Sequence, residues 1–228
     1  MTLFFLDMKK IGMLTIGQSP RNDILPGLME ILGKDIQVVE AGALDGKTMN
    51  DVKNIPLRFE DYILVSRMRD GTEIKITKKY ILPMMQEKLN QLEAQGIRLT
   101  VVMCTGNFPQ FKSKGLVVTP KEILKGVMEG SIKNGKLGVV YPTSEQMPMA
   151  KEEWGRPGVE IYADTVSPYE PKDVEGLCKR LEAQNLDIIL LNCFGFPREI
   201  KKNIENMTGK PVVQANTLVA RVLAELID

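Results

Sequence analysis

Short apolar runs rich in β-branched residues alternate with amphipathic helical patterns along almost the whole chain, and this alternation restricts the fold more than any other feature. The pattern predicts strands at 11–16, 36–39, 99–103, 116–118, 136–140, 159–162, 186–191 and 211–214. Helices are predicted at 22–32, 78–95, from Pro120 onward, and at 144–154, 172–184, 198–207 and 217–226. Strands that are apolar on both faces must be covered on both faces, which requires a parallel sheet with helices on each side. The fold class is therefore α/β. One interruption is antiparallel: segments 62–67 and 73–77 flank Asp70-Gly71, a strong two-residue hairpin signal.

The second half of the chain echoes the first. Ile11-Gly12-Met13-Leu14 corresponds to Leu137-Gly138-Val139-Val140, and each runs into a proline-containing turn. The stretch ending Cys104-Thr105-Gly106-Asn107-Phe108-Pro109 corresponds to the one ending Cys193-Phe194-Gly195-Phe196-Pro197. The marker strands lie farther apart in the first half, where the hairpin falls. These echoes predict two lobes of similar topology, the first carrying a β-hairpin insertion.

Composition removes several kinds of chemistry. The chain has no histidine, so neither a Ser-His-Asp nor a Cys-His catalytic pair can form, nor a histidine-ligated metal site. Lys+Arg number 30 against 29 Asp+Glu, a balance that gives no footprint for nucleic acid or an anionic membrane. Neither G-x-x-x-x-G-K-[ST] nor a G-x-G-x-x-G after a strand is present, so no nucleotide cofactor is expected. No carboxylate stands at ligand spacing from a cysteine, and no metal is expected. The apolar run in residues 1–7 is too short for a signal or membrane segment; it reads as a disordered or strand-extending tail. Three cysteines, an odd number, make no disulfide framework and point to a reducing, cytoplasmic location.

Cys104 and Cys193 each close a buried strand and precede a glycine-containing turn. Ligands of open parallel sheets bind outside the carboxyl ends of the strands. The turns Thr105-Gly106-Asn107 and Phe194-Gly195 would present backbone N–H groups to an anion and favour thiolate on the neighbouring sulfur. A free cysteine at a strand end often only fills space, but matching turn chemistry after both favours function. Two such thiols, one per lobe, make a two-base device: one removes a proton from a carbon beside a carboxylate or carbonyl, and the other returns one to the opposite face. Cys178 instead sits in the apolar stripe Val174-Leu177-Cys178-Leu181 of a helix and reads as core.

The turn after the first strand supplies Gly17, Gln18, Ser19 and Arg21. Arg21 has the fork geometry for a carboxylate, while Gln18 and Ser19 could donate to ligand oxygens. Thr143 and Ser144 are their symmetric counterparts, with helix capping as the competing role; the same choice faces Asn216 at the start of the last helix. Arg67-Met68-Arg69-Asp70, within the hairpin, could gate a cleft or form a dimer contact.

The segment Thr15-Ile16-Gly17-Gln18-Ser19-Pro20-Arg21-Asn22-Asp23 resembles the opening signature of the AroM family. Cys193-Phe194-Gly195-Phe196 and Asn216-Thr217-Leu218-Val219-Ala220-Arg221 resemble it too, and the similarity extends over nearly the whole chain from Ile11. That family is similar to the aspartate/glutamate/hydantoin racemase superfamily. The resemblance implies two Rossmann-like, Asp/Glu racemase-like lobes with parallel sheets related by pseudo-twofold symmetry, a cleft between them, and a C-terminal helix returning to the first lobe, so that the N-terminal lobe is 1–110 plus 215–228 and the C-terminal lobe 111–214. It also implies cofactor-independent proton transfer on a small carboxylate and admits a homodimer, since dimers are frequent in that superfamily. The superfamily includes racemases, a decarboxylase and a cis–trans isomerase. A single-thiol decarboxylase or isomerase, or a non-catalytic metabolite-binding protein, are the alternatives on the same fold. Its amino-acid racemases have an Asp-Ser-Gly first turn and Cys-Asn-Thr and Cys-Thr-His thiol turns. This chain has Gln18-Ser19-Pro20, Cys104-Thr105-Gly106 and Cys193-Phe194-Gly195, with Asp23 a displaced candidate for the missing acid. The departures point away from classical aspartate or glutamate racemization and leave carboxylate binding in place.

Overall fold

A computed structural model describes residues 10–58 and 61–227; the tail expected at residues 1–7 lies outside them. The elements in chain order are β1 (Lys10–Thr15), α1 (Leu25–Leu32), β2 (Gln37–Gly42), α2 (Met49–Lys53), β3 (Ile63–Arg67), β4 (Glu73–Thr77), α3 (Lys78–Ala94), β5 (Leu99–Val102), β6 (Leu116–Val118) and α4 (Pro120–Ser131). They continue with β7 (Gly135–Tyr141), a 3₁₀ turn (Ser144–Met149), α5 (Ala150–Trp154), β8 (Val159–Thr165), α6 (Val174–Ala183), β9 (Ile188–Leu191), α7 (Arg198–Thr208), β10 (Val212–Gln214) and α8 (Ala215–Ile227). The chain divides into two compact units, 1–120 with 219–228 and 121–218. The first unit thus runs past residue 110 and keeps the strand at 116–118, because β6 pairs with β5.

Each unit holds a four-stranded, wholly parallel sheet, ordered β2-β1-β5-β6 in the first and β8-β7-β9-β10 in the second. The sequence echo is the register of these sheets. Leu14 lies opposite Val102 in the first, and Val140 lies opposite Leu191 in the second. One step further, the Met103 amide donates to the Leu14 carbonyl at 2.8 Å, and the Asn192 amide to the Val140 carbonyl at 2.9 Å. The cysteine in each unit follows one residue later. Its position is fixed by a ladder whose strands are buried on both faces, which is what their unbroken apolar sequence demands.

Several boundaries differ from the sequence reading for local reasons. The first helix begins at Leu25 rather than 22, because the Arg21 carbonyl accepts from both Ile24 and Leu25 amides and closes a turn first. The segment 144–154 is a 3₁₀ turn followed by a short helix, with Pro148 inside the turn unable to donate a helical hydrogen bond. The last helix starts at Ala215, directly from β10, which puts Asn216 inside it. The helix α2 was not predicted. Its signal was Thr48 and Asp51, whose side chains each bond the other's backbone amide, in the capping-box manner. The hairpin forms as expected, with Ile63 opposite Thr77 and Arg67 opposite Glu73. No helix among the described residues is long and apolar enough to cross a membrane.

Candidate functional site

Cys104 and Cys193 occupy the same local structure in the two units. Each stands two residues beyond its strand, buried except for 8% and 7% of its surface, and each sulfur accepts the amide of the residue two positions on. The distances from Gly106 N to Cys104 Sγ and from Gly195 N to Cys193 Sγ are both 3.4 Å. An N–H aimed at sulfur stabilises negative charge there. The glycines also leave room for a neighbour. A methyl on Gly195 would stand 2.5 Å from the Tyr169 hydroxyl and 2.8 Å from its ring carbon Cζ; one on Gly106 would stand 2.9 Å from Leu64. Cys178 has neither feature: it is fully buried in the apolar core of the second unit, and burial pushes its thiol up, with the charge of Glu175 adding to the shift.

In the first unit the turn after β1 lies beside the Cys104 turn, because β1 and β5 are neighbours. Strand β3 of the hairpin packs against both. Gly17 has no side chain because the Arg67 carbonyl and Ser66 hydroxyl approach where a Cβ would be. The Gln18 amide donates to that same carbonyl at 3.2 Å. The hairpin is thus a cover on the β1 turn, which gives its Arg67–Asp70 tip a definite partner within its own unit.

The side chains predicted to contact a ligand at this turn are mostly committed to the protein. Gln18 donates to the carbonyls of Leu44 (3.1 Å) and Lys47 (2.8 Å) and accepts from the Arg69 amide (2.9 Å). Arg21 is 98% buried and forms its bidentate pair with Asp23, at 2.9 and 2.8 Å, while also donating to the Thr15 hydroxyl at 3.0 Å. Its fork is closed on an internal carboxylate. Burial alone would raise the Asp23 carboxyl, but the Arg21 hydrogen bonds and charge, with Arg67 3.4 Å away, hold it below the usual carboxylate range. Ser19 donates its hydroxyl to Asp45 at 2.7 Å and its amide to the other Asp45 oxygen at 2.8 Å. Asp45 also accepts the Gly42 amide at 2.8 Å and lies 3.7 Å from Arg69. An acidic group therefore does stand at the first turn. It comes from the loop after β2, a distance along the chain that no local motif reports.

The second unit repeats this arrangement with different parts. Thr143 follows β7 as Gly17 and its neighbours follow β1; its hydroxyl donates to Glu145, and it makes no capping bond to the 3₁₀ turn. Asn216, expected as a cap, instead reaches back to the Cys193 turn. Its Nδ2 donates to the carbonyls of Phe194 and Phe196, at 2.9 Å each, and Gln214 Nε2 donates to the Phe196 carbonyl at 2.6 Å. The side-chain oxygens of Asn216 and Gln214 are buried without a hydrogen-bond partner. Phe194 and Phe196 are both buried, so this turn is held by apolar contacts on one side and amide bonds on the other. In the first unit the matching support is Lys78, whose Nζ donates to the Asn107 carbonyl at 3.0 Å. Thr105, beside Cys104, is 7% exposed.

Among the described residues, no group of three or more cysteine and carboxylate side chains is gathered where it could hold a metal ion. Over residues 11–227 the sequence matches the family described as AroM protein. No curated protein matches the chain. Among solved structures, glutamate racemase from Aquifex pyrophilus is similar at 18% identity, with 96% of this chain and 84% of that chain covered and a TM-score of 0.59. Allantoin racemase from Klebsiella pneumoniae is 12% identical, with coverages of 96% and 87% and a TM-score of 0.60. The maleate isomerase Iso from Pseudomonas putida S16 is 12% identical, with coverages of 96% and 92% and a TM-score of 0.58. At these identities the likeness is one of fold: each unit's parallel sheet belongs to the racemase-type α/β architecture.

Proposed function

The chain belongs to the AroM protein family, and from that premise we propose that it is a cofactor-independent racemase or isomerase of a small carboxylate, with Cys104 and Cys193 as its acid and base. The observation that carries this reading is the duplicated thiol turn: a cysteine at the same step beyond the same strand of two matched sheets, its sulfur accepting the same i+2 amide at the same distance. A structural cysteine needs no such donor.

In the proposed reaction one thiolate takes the proton from the carbon beside the carboxylate, becoming a thiol. The electron pair left behind delocalises into the carboxylate, and the second thiol gives its proton to the opposite face of that carbon. The charge passes from one sulfur to the other, and nothing is oxidised or reduced. The chemistry requires both sulfurs to reach one substrate carbon. The turn after Cys104 is suited to receive the carboxylate through its backbone, with the Gly106 amide already given to Cys104 Sγ. Ser19 and Thr143 are not, since each already gives its hydroxyl proton to a protein carboxylate. Their oxygens are suited to accept from a hydroxyl or N–H of the substrate.

The test is exchange of α-protons in deuterated buffer across a panel of small hydroxy acids, amino acids, unsaturated diacids and hydantoins. The reading predicts exchange with at least one class, and its loss in both Cys104→Ser and Cys193→Ser. Full exchange in either serine variant would overturn the two-thiol assignment, and tight binding with no exchange by the unaltered protein would favour a metabolite-binding role.

A further inference from the structure

Strand β3 is apolar and buried from Ile63 to Val65 and then carries Ser66, which is buried as well. Ser66 is 1% exposed, and its hydroxyl has no hydrogen-bond partner. Burial takes the water from such a hydroxyl without replacing the bond. Groups left in that condition are few in native structures and call for a use.

Its place in the fold indicates one. The Ser66 Oγ approaches where a Cβ on Gly17 would be, in the turn after β1. Side chains two apart on a strand share a face. Leu64, two residues back, stands 2.9 Å from where a Cβ on Gly106 would be, in the turn after β5. This face of β3 therefore lies across the carboxyl ends of two neighbouring parallel strands, β1 and β5, where open sheets take their ligands. One of its side chains is an apolar cover on the Cys104 turn, and the other is an unused hydroxyl. The other donors nearby are committed: the Gly106 amide to Cys104 Sγ at 3.4 Å, the Ser19 hydroxyl to Asp45 at 2.7 Å, and the Arg21 fork to Asp23 at 2.9 and 2.8 Å. Positive charge is also present, since the Lys78 ammonium stands 3.0 Å from the Asn107 carbonyl of the Cys104 turn.

We propose that Ser66 is a substrate-contacting residue of the first unit, its hydroxyl donating to the carboxylate beside the carbon that Cys104 addresses. The assignment rests on the proposed carboxylate chemistry at Cys104 and adds to it a side-chain donor supplied by the hairpin. A serine hydroxyl moves among three staggered positions about a single bond, so it turns from Gly17 to the ligand while β3 stays in place.

Cys104 itself reports on the contact. Iodoacetate and iodoacetamide present the same carbon to a thiolate, which displaces iodide from it, and only the first carries a carboxylate. Alkylation of the full chain, followed by peptide mass mapping, gives the rate of each reagent at each cysteine. Ser66→Ala should lower the iodoacetate rate at Cys104 about tenfold, as loss of a hydrogen bond to a charged group does. The iodoacetamide rate should fall far less, because a neutral oxygen accepts more weakly, and both rates at Cys193 should be unchanged. The urea midpoint of Ser66→Ala should stay or rise, since the substitution removes an unsatisfied buried group. An equal fall for both reagents would place the effect on the sulfur and overturn the proposal. So would no change for either reagent, the same change at Cys193, or a lowered midpoint, which would show the hydroxyl already bonded within the fold. The assay needs no turnover. The expected alkylation result without α-proton exchange would overturn the proposed reaction and leave Ser66 in place; exchange with unchanged alkylation rates would do the reverse.

Discussion

Replacing Asn216 by alanine isolates the support of the Cys193 turn. The side chain makes two hydrogen bonds, to the Phe194 and Phe196 carbonyls at 2.9 Å each. The Phe196 carbonyl keeps Gln214 as a donor at 2.6 Å, so the loss there is one ordinary bond, about 0.5–1.5 kcal/mol. The Phe194 carbonyl loses its side-chain donor, and Phe194 is 1% exposed. A buried acceptor stripped of its partner costs about 1–3 kcal/mol. The unpartnered Asn216 Oδ1 disappears in the same substitution and returns part of that penalty. The expected destabilisation is about 1.5–3 kcal/mol, read from urea unfolding of Asn216→Ala against the unaltered protein. Gln214→Leu removes only one of two donors to its carbonyl and should cost less. The loosened turn should also raise the modification rate of Cys193 by a thiol reagent while leaving Cys104 unchanged. A loss below about 0.5 kcal/mol, the size of a typical surface substitution, would show that these amide bonds do not hold the turn.

Other substitutions test the remaining contacts. Asp23→Asn leaves Arg21 buried without its countercharge and should cost toward the low end of the roughly 3–5 kcal/mol typical of a broken buried pair, since Asp23 keeps a solvent-facing edge. Because the Asp23 carboxyl is depressed in the folded protein, its stabilising contribution is complete above an ordinary carboxylate pKa of about 4 and is lost as pH falls through the folded value. The unaltered protein should therefore lose stability in that acid range more steeply than Asp23→Asn; parallel pH profiles would contradict the pairing. Gly195→Ala should lower thermal stability and displace Tyr169, whereas Gly195→Ala with Tyr169→Phe should recover part of the loss by removing the hydroxyl nearest the new methyl. No recovery would mean the ring, rather than the hydroxyl, sets the clash.

The parts of this architecture legible in the sequence are those governed by local physics. Buried parallel strands announce themselves as unbroken apolar runs, and the hairpin by Asp70-Gly71. The two thiol turns stood out because Cys104-Thr105-Gly106 and Cys193-Phe194-Gly195 repeat a short pattern at the ends of equivalent strands. Cys178 was separable because its neighbours follow helical spacing. What escaped was decided by tertiary contact. Asp45 reaches Ser19 from the next loop, Tyr169 occupies the space over Gly195 from the loop after β8, and Asn216 reaches two carbonyls of the turn that follows a different strand. Arg21 shows the same limit from the other side. Its residue type suits a ligand carboxylate, but an internal one two positions away takes the fork first.

The central claim is that two thiols, rather than one, handle the proton on opposite faces of a substrate carbon. Its most direct measurement is deuterium content in both substrate and product during the first turnovers in deuterated buffer, starting from one isomer of a substrate identified by exchange. Two thiols predict product carrying deuterium at the reacting carbon while unconverted substrate remains largely protiated, because the acid that reprotonates is not the group that removed the proton. Protium carried from substrate to product in a single turnover would mean that one group both removes and returns it, and would contradict the account.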